Sequence, residues 1–356
     1  MNIGLIKLKK QIELLDMDGL LVSDKKNRIY ISGFTGSSAV IFISKNREII
    51  ITDSRYIEQI KQQAPDFEVI DHYGHFSEAL VNLLKRENVR NVGFESDYMN
   101  VSQYLELKKS LPDIEFIPTI NIIERLRSVK EDYEIEQMKI AAEITDQVFG
   151  YFLKIVKPGM TELEVAAKID YYMREQGASD RAFETIVASG LRSSLPHGHA
   201  SDKKIQKNEL VMIDFGVVYN RYYSDITRTI AIGNVPDKLK EVYNIVKKAQ
   251  KTGIEAIKSG STCSDIDSSS RAIIEKAGYG CYFGHGTGHG IGLSCHEYPQ
   301  INKESNVKLL PGMTFTVEPG IYIPNLGGVR IEDDILVNKG FNAELLTKST
   351  KDWIEI

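Results

Sequence analysis

The stretch Leu210-Val-Met-Ile-Asp-Phe-Gly-Val-Val-Tyr-Asn-Arg-Tyr-Tyr-Ser-Asp-Ile-Thr-Arg-Thr-Ile-Ala-Ile232 decides how this chain is read. Apolar residues alternate along both arms, as in a half-buried strand, and Asp214 and Asp225 break the alternation. A turn near Asn220-Arg221 makes the stretch a hairpin. With an even number of loop residues, positions an odd number apart on opposite arms share a sheet face, and 225 minus 214 is 11. The two carboxylates therefore meet. Like charges side by side on a half-buried face repel, so either one is protonated or a cation lies between them.

Working outward, the histidines bear on that choice. Of seven in the chain, His197 and His199 share the window Leu195-Pro-His-Gly-His199, and His285, His289 and His296 share a second, glycine-rich one. Glycines around His289 let the backbone approach a ligand closely. Glu318 ends the apolar run Met313-Thr-Phe-Thr-Val317 before Pro319-Gly320, and Glu332 sits among apolar residues in Val329-Arg-Ile-Glu332. Arg330, on the same strand face as Glu332, is placed to orient that glutamate or a neighbouring one, while Asp333 or Asp334 is expected in a salt bridge within the sheet. Asp214, Asp225, His289, Glu318 and Glu332 offer four carboxylates, one imidazole and no thiolate. That set suits a pair of divalent cations of hard or borderline character rather than one structural zinc. Two such ions roughly 3.5–4 Å apart hold a shared hydroxide and polarise a carbonyl, which indicates hydrolysis. His197, His285 and His296 are suited to the oxyanion and the leaving nitrogen.

Further out, Lys157-Pro-Gly-Met-Thr161 with Gly177 is matched by Lys258-Ser-Gly-Ser-Thr262 with Gly278 at an offset of 101 residues. Thr161 and Thr262 are placed to cap helices that the later glycines end, so two similar α+β halves are expected around a shared crevice. Upstream, Gly19 to Ser23, Ala39 to Ser44 and Glu48 to Thr52 read as strands, and Tyr56 to Ala64 and Ser77 to Lys85 as helices, giving an α/β unit. Asn121 to Tyr151 reads as one long helical run, and the domain boundary is placed near residue 120, with domains 1–120 and 121–356. Gly33-Phe-Thr-Gly-Ser-Ser lacks the Gly-Lys-Ser/Thr of a phosphate loop and is expected to be a turn between strands.

The 356 residues are 42% hydrophobic and 26% charged, a profile that excludes disordered, collagenous and membrane-spanning classes. A net charge of -5 argues against a nucleic-acid partner. Three cysteines without a CxxC pair fit reduced thiols used in packing, with Cys295 beside His296 the exception to watch. No signal-peptide pattern is read at the N-terminus, and the expected location is the cytoplasm.

Leu195-Pro-His197, Asp214 with Asp225, His285-Gly-Thr-Gly-His289 with His296-Glu297, Glu318-Pro-Gly-Ile-Tyr-Ile-Pro324 and Val329-Arg-Ile-Glu332-Asp333 together resemble the proline-specific branch of the pita-bread metallopeptidases. Tyr30-Ile-Ser-Gly-Phe-Thr-Gly36 and Thr52-Asp-Ser-Arg-Tyr56 resemble the creatinase-type N-terminal domain of those enzymes. The resemblance implies an α+β chain with a creatinase-like α/β domain, serving dimer contacts and active-site access, before a pseudo-symmetric pita-bread catalytic domain. It also implies Xaa-Pro dipeptidase or Xaa-Pro aminopeptidase activity on short proline-containing peptides, a homodimer, and two divalent ions per subunit, manganese first with cobalt or zinc as alternatives. By the same resemblance Asp214 chelates one metal, Asp225 and Glu332 bridge both, and His289 and Glu318 bind the other. Glu318 also shuttles the proton, His197 and His296 lie beside the scissile bond, and His285 lines the proline pocket; apart from the resemblance, His296 and Tyr298 are side chains able to flank the proline ring. A methionine aminopeptidase-like exopeptidase and a catalytically silent binding module are the alternatives; the full ligand set disfavours creatinase itself.

Overall fold

Short runs of Ile, Val and Phe in the first third of the chain form six strands: β1 (Gly19–Val22), β2 (Val40–Ser44), β3 (Glu48–Thr52), β4 (Glu68–Asp71), β5 (Asn91–Glu95) and β6 (Glu115–Thr119). The computed structural model, which describes residues 2–356, joins them in one sheet of order β4-β3-β2-β1-β5-β6. The pairs β1–β2 and β2–β3 are antiparallel and the other three are parallel. Helices α1 (Ile3–Leu14), α2 (Lys25–Ser32), α3 (Ile57–Gln63), α4 (Phe76–Arg86), α5 (Val101–Ser110) and α6 (Ile122–Ser128) connect or flank the strands. α2 corrects one expectation: Gly33-Phe-Thr-Gly-Ser-Ser follows a helix rather than joining two strands. Asp24 caps that helix through Asn27 N, and Gly33, at φ 78°, ends it in the left-handed conformation that glycine adopts cheaply.

The chain divides into two units, one running to Arg127 and the other Ser128–Ile356. The division lies past residue 120 because α6 is tied to α2: Asn27 Nδ2 donates to Glu124 Oε1 (2.6 Å) and Arg127 Nη1 to Asn27 Oδ1 (2.8 Å). The single helix expected over Asn121 to Tyr151 is two helices, α6 and α7 (Asp132–Ile155). Between them Val129 bridges to Met313 and Lys130 N donates to Gly312 O, so the backbone spends its donors on a sheet edge. The capping box of Glu131 with Glu134 then restarts the helix.

The second unit holds α8 (Glu162–Glu175), β7 (Asp180–Arg181), β8 (Ile186–Ser189), β9 (Glu209–Phe215), β10 (Val217–Tyr219), β11 (Tyr222–Tyr223) and β12 (Ile226–Ile232). Then come α9 (Asp237–Glu255), α10 (Cys263–Lys276), β13 (Gly288–Gly290), β14 (Glu297–Ile301), β15 (Thr314–Val317), β16 (Gly320–Ile323), β17 (Gly327–Arg330), β18 (Asp333–Val337) and β19 (Ala343–Leu345). The two copies of the repeat are built alike. Thr161 and Thr262 close capping boxes with Glu164 and Asp265, and Gly177 and Gly278 follow the helix ends at φ 95° and 85°. Each helix pair, α7–α8 or α9–α10, is followed by three antiparallel strands, β8–β9–β12 in one half and β13–β15–β18 in the other. Fully buried Phe152, Ile169, Ile213 and Phe215 knit the first half, and Cys263, Ile266, Phe315 and Val317 the second. Each such large apolar side chain contributes roughly 1.5–3 kcal/mol by leaving water. Cys263 and Cys295 are buried as packing residues would be, whereas Cys281 is exposed. Among the described residues no helix is long and apolar enough to cross a membrane.

Candidate functional site

The hairpin is the foundation. Asn220 and Arg221 take φ 45° and 76°, forming a two-residue turn whose register, Tyr219↔Tyr222 and Val218↔Tyr223, continues into Phe215↔Ile226 and Asp214↔Thr227. Asp225 lies at the interruption between β11 and β12, on the face that Asp214 occupies, and its backbone N donates to Asp334 Oδ2 at 2.9 Å. Gly216 permits this crossing, because a Cβ there would stand 1.9 Å from Ser224 O.

Three segments of the other half bring the remaining donors. His289 is the middle residue of β13, Glu318 follows β15, and Glu332 lies between β17 and β18. Asp225, His289 and Glu332 present donor atoms that all lie within 4.8 Å of one another. His289 Nε2 is 3.4 Å from Glu318 Oε1 and 3.8 Å from Asp225 Oδ2. Asp214 is held differently: Arg330 Nη2 donates to its Oδ2 at 2.5 Å. Of the two roles expected for Arg330, the structure shows the neighbouring acid, and Glu332 instead receives Thr227 Oγ1 at 2.6 Å. Asp333 does pair within the sheet, with Arg228 (2.6 Å) and Lys351 (2.5 Å); Asp334 takes the Asp225 amide and, among the described residues, no cation.

The electrostatics are those of an incomplete site. Burial, then Glu332 and Asp214, push the Asp225 carboxyl well above its usual range, and burial, then Glu318 and Asp214, do the same to Glu332. Asp214 Oδ1 and Asp225 Oδ1 are buried without a hydrogen-bond partner among the described residues. The His289 ring places Nδ1 3.1 Å from Gly290 O, so Nδ1–H donates there and the Nε2 lone pair faces two carboxylates. Lone pairs aimed at one another in low dielectric are unfavourable unless a cation sits among them. The donor set is oxygen-rich with one imidazole. Cys295 Sγ is 3.3 Å from Asp225 Oδ2, but burial and then Asp225 push its pKa up, so it stays a thiol donor. Residues of this kind fit hard or borderline divalent ions.

A cavity of about 600 Å³ opens over the cluster. Asp214, Asp225, His289, Glu318, Arg330 and Glu332 line it, as do His197, His285 and His296. His296 stacks on His289 with ring centroids 3.9 Å apart. His285 Nε2 lies 2.9 Å from Tyr322 Oη, which also accepts from Arg330 Nη1 at 2.9 Å. Arginine only donates, so the tyrosine hydrogen goes to His285 Nε2 and His285 Nδ1–H donates to Gly286 O at 2.7 Å. Burial lowers the pKa of His285, in keeping with that neutral ring. His199 reaches the rim, 3.5 Å from Glu184, and His72 and His75 belong to the first unit. Tyr298 does not line the cavity; Phe183, Gln300 and Asn302 do. Sequence reasoning also missed Thr227 and Tyr322. The only available hint was that Thr227 sits two residues beyond Asp225 on the same strand face.

Residues 136–339 match metallopeptidase family M24, and residues 5–129 match the creatinase/prolidase N-terminal domain. The chain is 39% identical over 353 residues to an Xaa-Pro dipeptidase of Pyrococcus horikoshii, covering 98% of each chain. It superposes on a solved Xaa-Pro dipeptidase from Bacillus anthracis with a TM-score of 0.96 at 46% identity, covering 99% of both chains. For a solved X-Pro aminopeptidase from Thermotoga maritima the TM-score is 0.88 at 39% identity, covering 98% of this chain and all of that one.

Proposed function

The chain belongs to metallopeptidase family M24, and from that premise we propose that it is a metal-dependent exopeptidase cutting the Xaa-Pro bond of dipeptides or of short peptides at their N-terminus. The observation that carries the reading is the convergence of Asp225, His289 and Glu332, with buried Asp214 Oδ1 and Asp225 Oδ1 satisfied by no donor among the described residues. Relatives named as Xaa-Pro dipeptidases, alike over nearly their whole length, support the substrate class.

In this reading Asp214, Asp225, His289, Glu318 and Glu332 would hold two divalent ions, Mn²⁺ in the first instance and Co²⁺ or Zn²⁺ as alternatives. When bound, the ions supply Lewis acidity, which acidifies a water for attack and polarises the scissile carbonyl. The other steps fall to side chains. Arg330 fixes the orientation of Asp214, and Thr227 fixes that of Glu332. Glu318, whose carboxyl burial pushes upward, takes the proton from the attacking water and gives it to the leaving imino nitrogen. An amide nitrogen leaves only once protonated, and in an Xaa-Pro bond the proton turns it into the secondary amine of the proline ring. His197 and His296 donate to the carbonyl oxygen as its charge grows. His285, held by Tyr322 and Gly286, offers a ring edge to proline.

Hydrolysis of Ala-Pro and Ala-Pro-Ala, measured after chelator dialysis with and without added Mn²⁺, tests this. Manganese-dependent release of alanine is expected from at least one of them. A protein that binds no metal and leaves both intact refutes the reading.

A further inference from the structure

Phe283 to Gly290 alternates side chains with glycines at 284, 286, 288 and 290. A backbone with that freedom does not by its own preferences hold His285 and His289 at fixed points. Something outside the segment holds it. On α10, Asp267 is fully buried and takes both Arg271 Nε (2.8 Å) and Arg271 Nη2 (2.9 Å), a forked ion pair one helical turn apart. The pair is turned toward the segment. Arg271 Nη1 donates to Phe283 O at 3.1 Å and Nη2 to His285 O at 2.7 Å, while Asp267 Oδ1 accepts from Thr287 N at 3.1 Å and Thr287 Oγ1 at 2.8 Å. The guanidinium also lies 4.2 Å above the Phe283 ring, whose edge meets His285 with centroids 5.0 Å apart.

Residues 283, 285 and 287, three of the four side-chain-bearing positions of the run, are thus all tied to one ion pair. The ties continue into the site. Thr287 O accepts Glu318 N at 2.7 Å, and His289 follows two residues later in β13. A shift of Thr287 therefore moves Glu318 and His289 together. Neither Asp267 nor Arg271 lines the cavity.

We infer that Asp267 and Arg271 are positioning residues of this site, fixing His285, His289 and Glu318 through the backbone of residues 283–287. The inference rests on the proposed peptidase reading for its activity readout, but not for its binding readout. Arg271→Lys keeps the charge and loses the fork; Thr287→Val removes one hydroxyl. With saturating Mn²⁺, R271K should lower kcat for Ala-Pro by about 10–100-fold with KM changed less than about threefold, and T287V should follow by about tenfold. Mn²⁺ affinity measured by equilibrium dialysis should weaken in both variants, beyond whatever the lost hydrogen bonds cost the metal-free protein in melting temperature. Folded variants with wild-type kcat and Mn²⁺ affinity overturn the inference, and so does a loss confined to melting temperature. If R271K does not fold, T287V decides alone. If the wild type cleaves no Xaa-Pro peptide, the peptidase reading has failed, and Mn²⁺ affinity still tests the positioning role.

Discussion

Each unit buries acids, and it treats them differently. In the first, Glu95 is 7% exposed and well supplied: Oε2 accepts Ser23 N (2.5 Å) and Asp24 N (2.8 Å), and Oε1 accepts Asn27 Nδ2 (2.6 Å). In the second, Asp214, Asp225 and Glu332 crowd together, two of their oxygens have no donor among the described residues, and Arg330 alone brings a cation. Within that same unit Asp333 is fully buried yet engaged by Arg228, Gln250 and Lys351. Burial of a carboxylate is therefore no mark of function here. What separates the cluster from Glu95 and Asp333 is that the chain leaves it unfinished.

The sharpest way to break that contrast is Asp225→Ala. An ion held by these acids is worth several kcal/mol of transition-state stabilisation, so kcat for Xaa-Pro cleavage should fall by about 10³-fold or more. The metal-free variant should nonetheless melt no lower than the metal-free wild type, because the change removes a repelled, desolvated charge. A metal-free D225A protein that melts far lower would place Asp225 with Glu95 and Asp333 as a satisfied structural acid.

Glu95 gives the converse effect. Burial raises its pKa to about 7, against the backbone and Asn27 hydrogen bonds that favour the charged form. A folded-state pKa above the unfolded one means that its stabilisation is complete below about pH 4.5 and is lost as pH climbs through about 7. The first unit should lose on the order of 3 kcal/mol across that window, and Glu95→Gln should flatten the profile. Denaturant midpoints of the two proteins at pH 4.5 and 8 check this; equal slopes with pH would remove Glu95 as the cause.

A slightly smaller effect marks the unfinished cluster directly. Mn²⁺ at a hundred times its dissociation constant should stabilise the second unit by about 2.7 kcal/mol per site, read as a rise in its melting transition. Glu332→Gln should abolish most of that rise and Glu95→Gln should leave it whole. A rise that survives E332Q would put the ion elsewhere.

How much of this was legible depended on how local the cause is. The meeting of Asp214 and Asp225 follows from the period of a strand and a two-residue turn, both written within one stretch of sequence. The repeat was legible because Thr161 and Thr262 act on amides three residues away. The helix at Lys25–Ser32 was not, since Ile29-Tyr30-Ile31 favours a strand and the Asp24 cap, with the ties to α6, decides otherwise. Nor was the break at Val129–Glu131, whose partners are Gly312 and Met313. Arg330 was visible as a helper, but only folding shows that it faces Asp214, Tyr322 and Thr227 at once.

Thr227 is the finest probe of the difference. Its hydroxyl donates to Glu332 Oε2 at 2.6 Å and accepts Arg330 Nε at 2.9 Å, so one oxygen orients an acid and the arginine beside it. Thr227→Val keeps the volume and branching that the strand requires and removes only that link. In a finished polar network such a deletion strands a buried donor and costs stability, about 1–3 kcal/mol. At a site completed by an ion, Glu332 keeps its main partner and loses only its aim, so Mn²⁺ affinity should weaken by about tenfold, in addition to what the unpaired Arg330 Nε costs in melting temperature. Isothermal titration with Mn²⁺ beside thermal melts of the loaded T227V protein distinguishes the two. A variant that binds Mn²⁺ as the wild type does but melts much lower would show that Thr227 serves the sheet and not the acids.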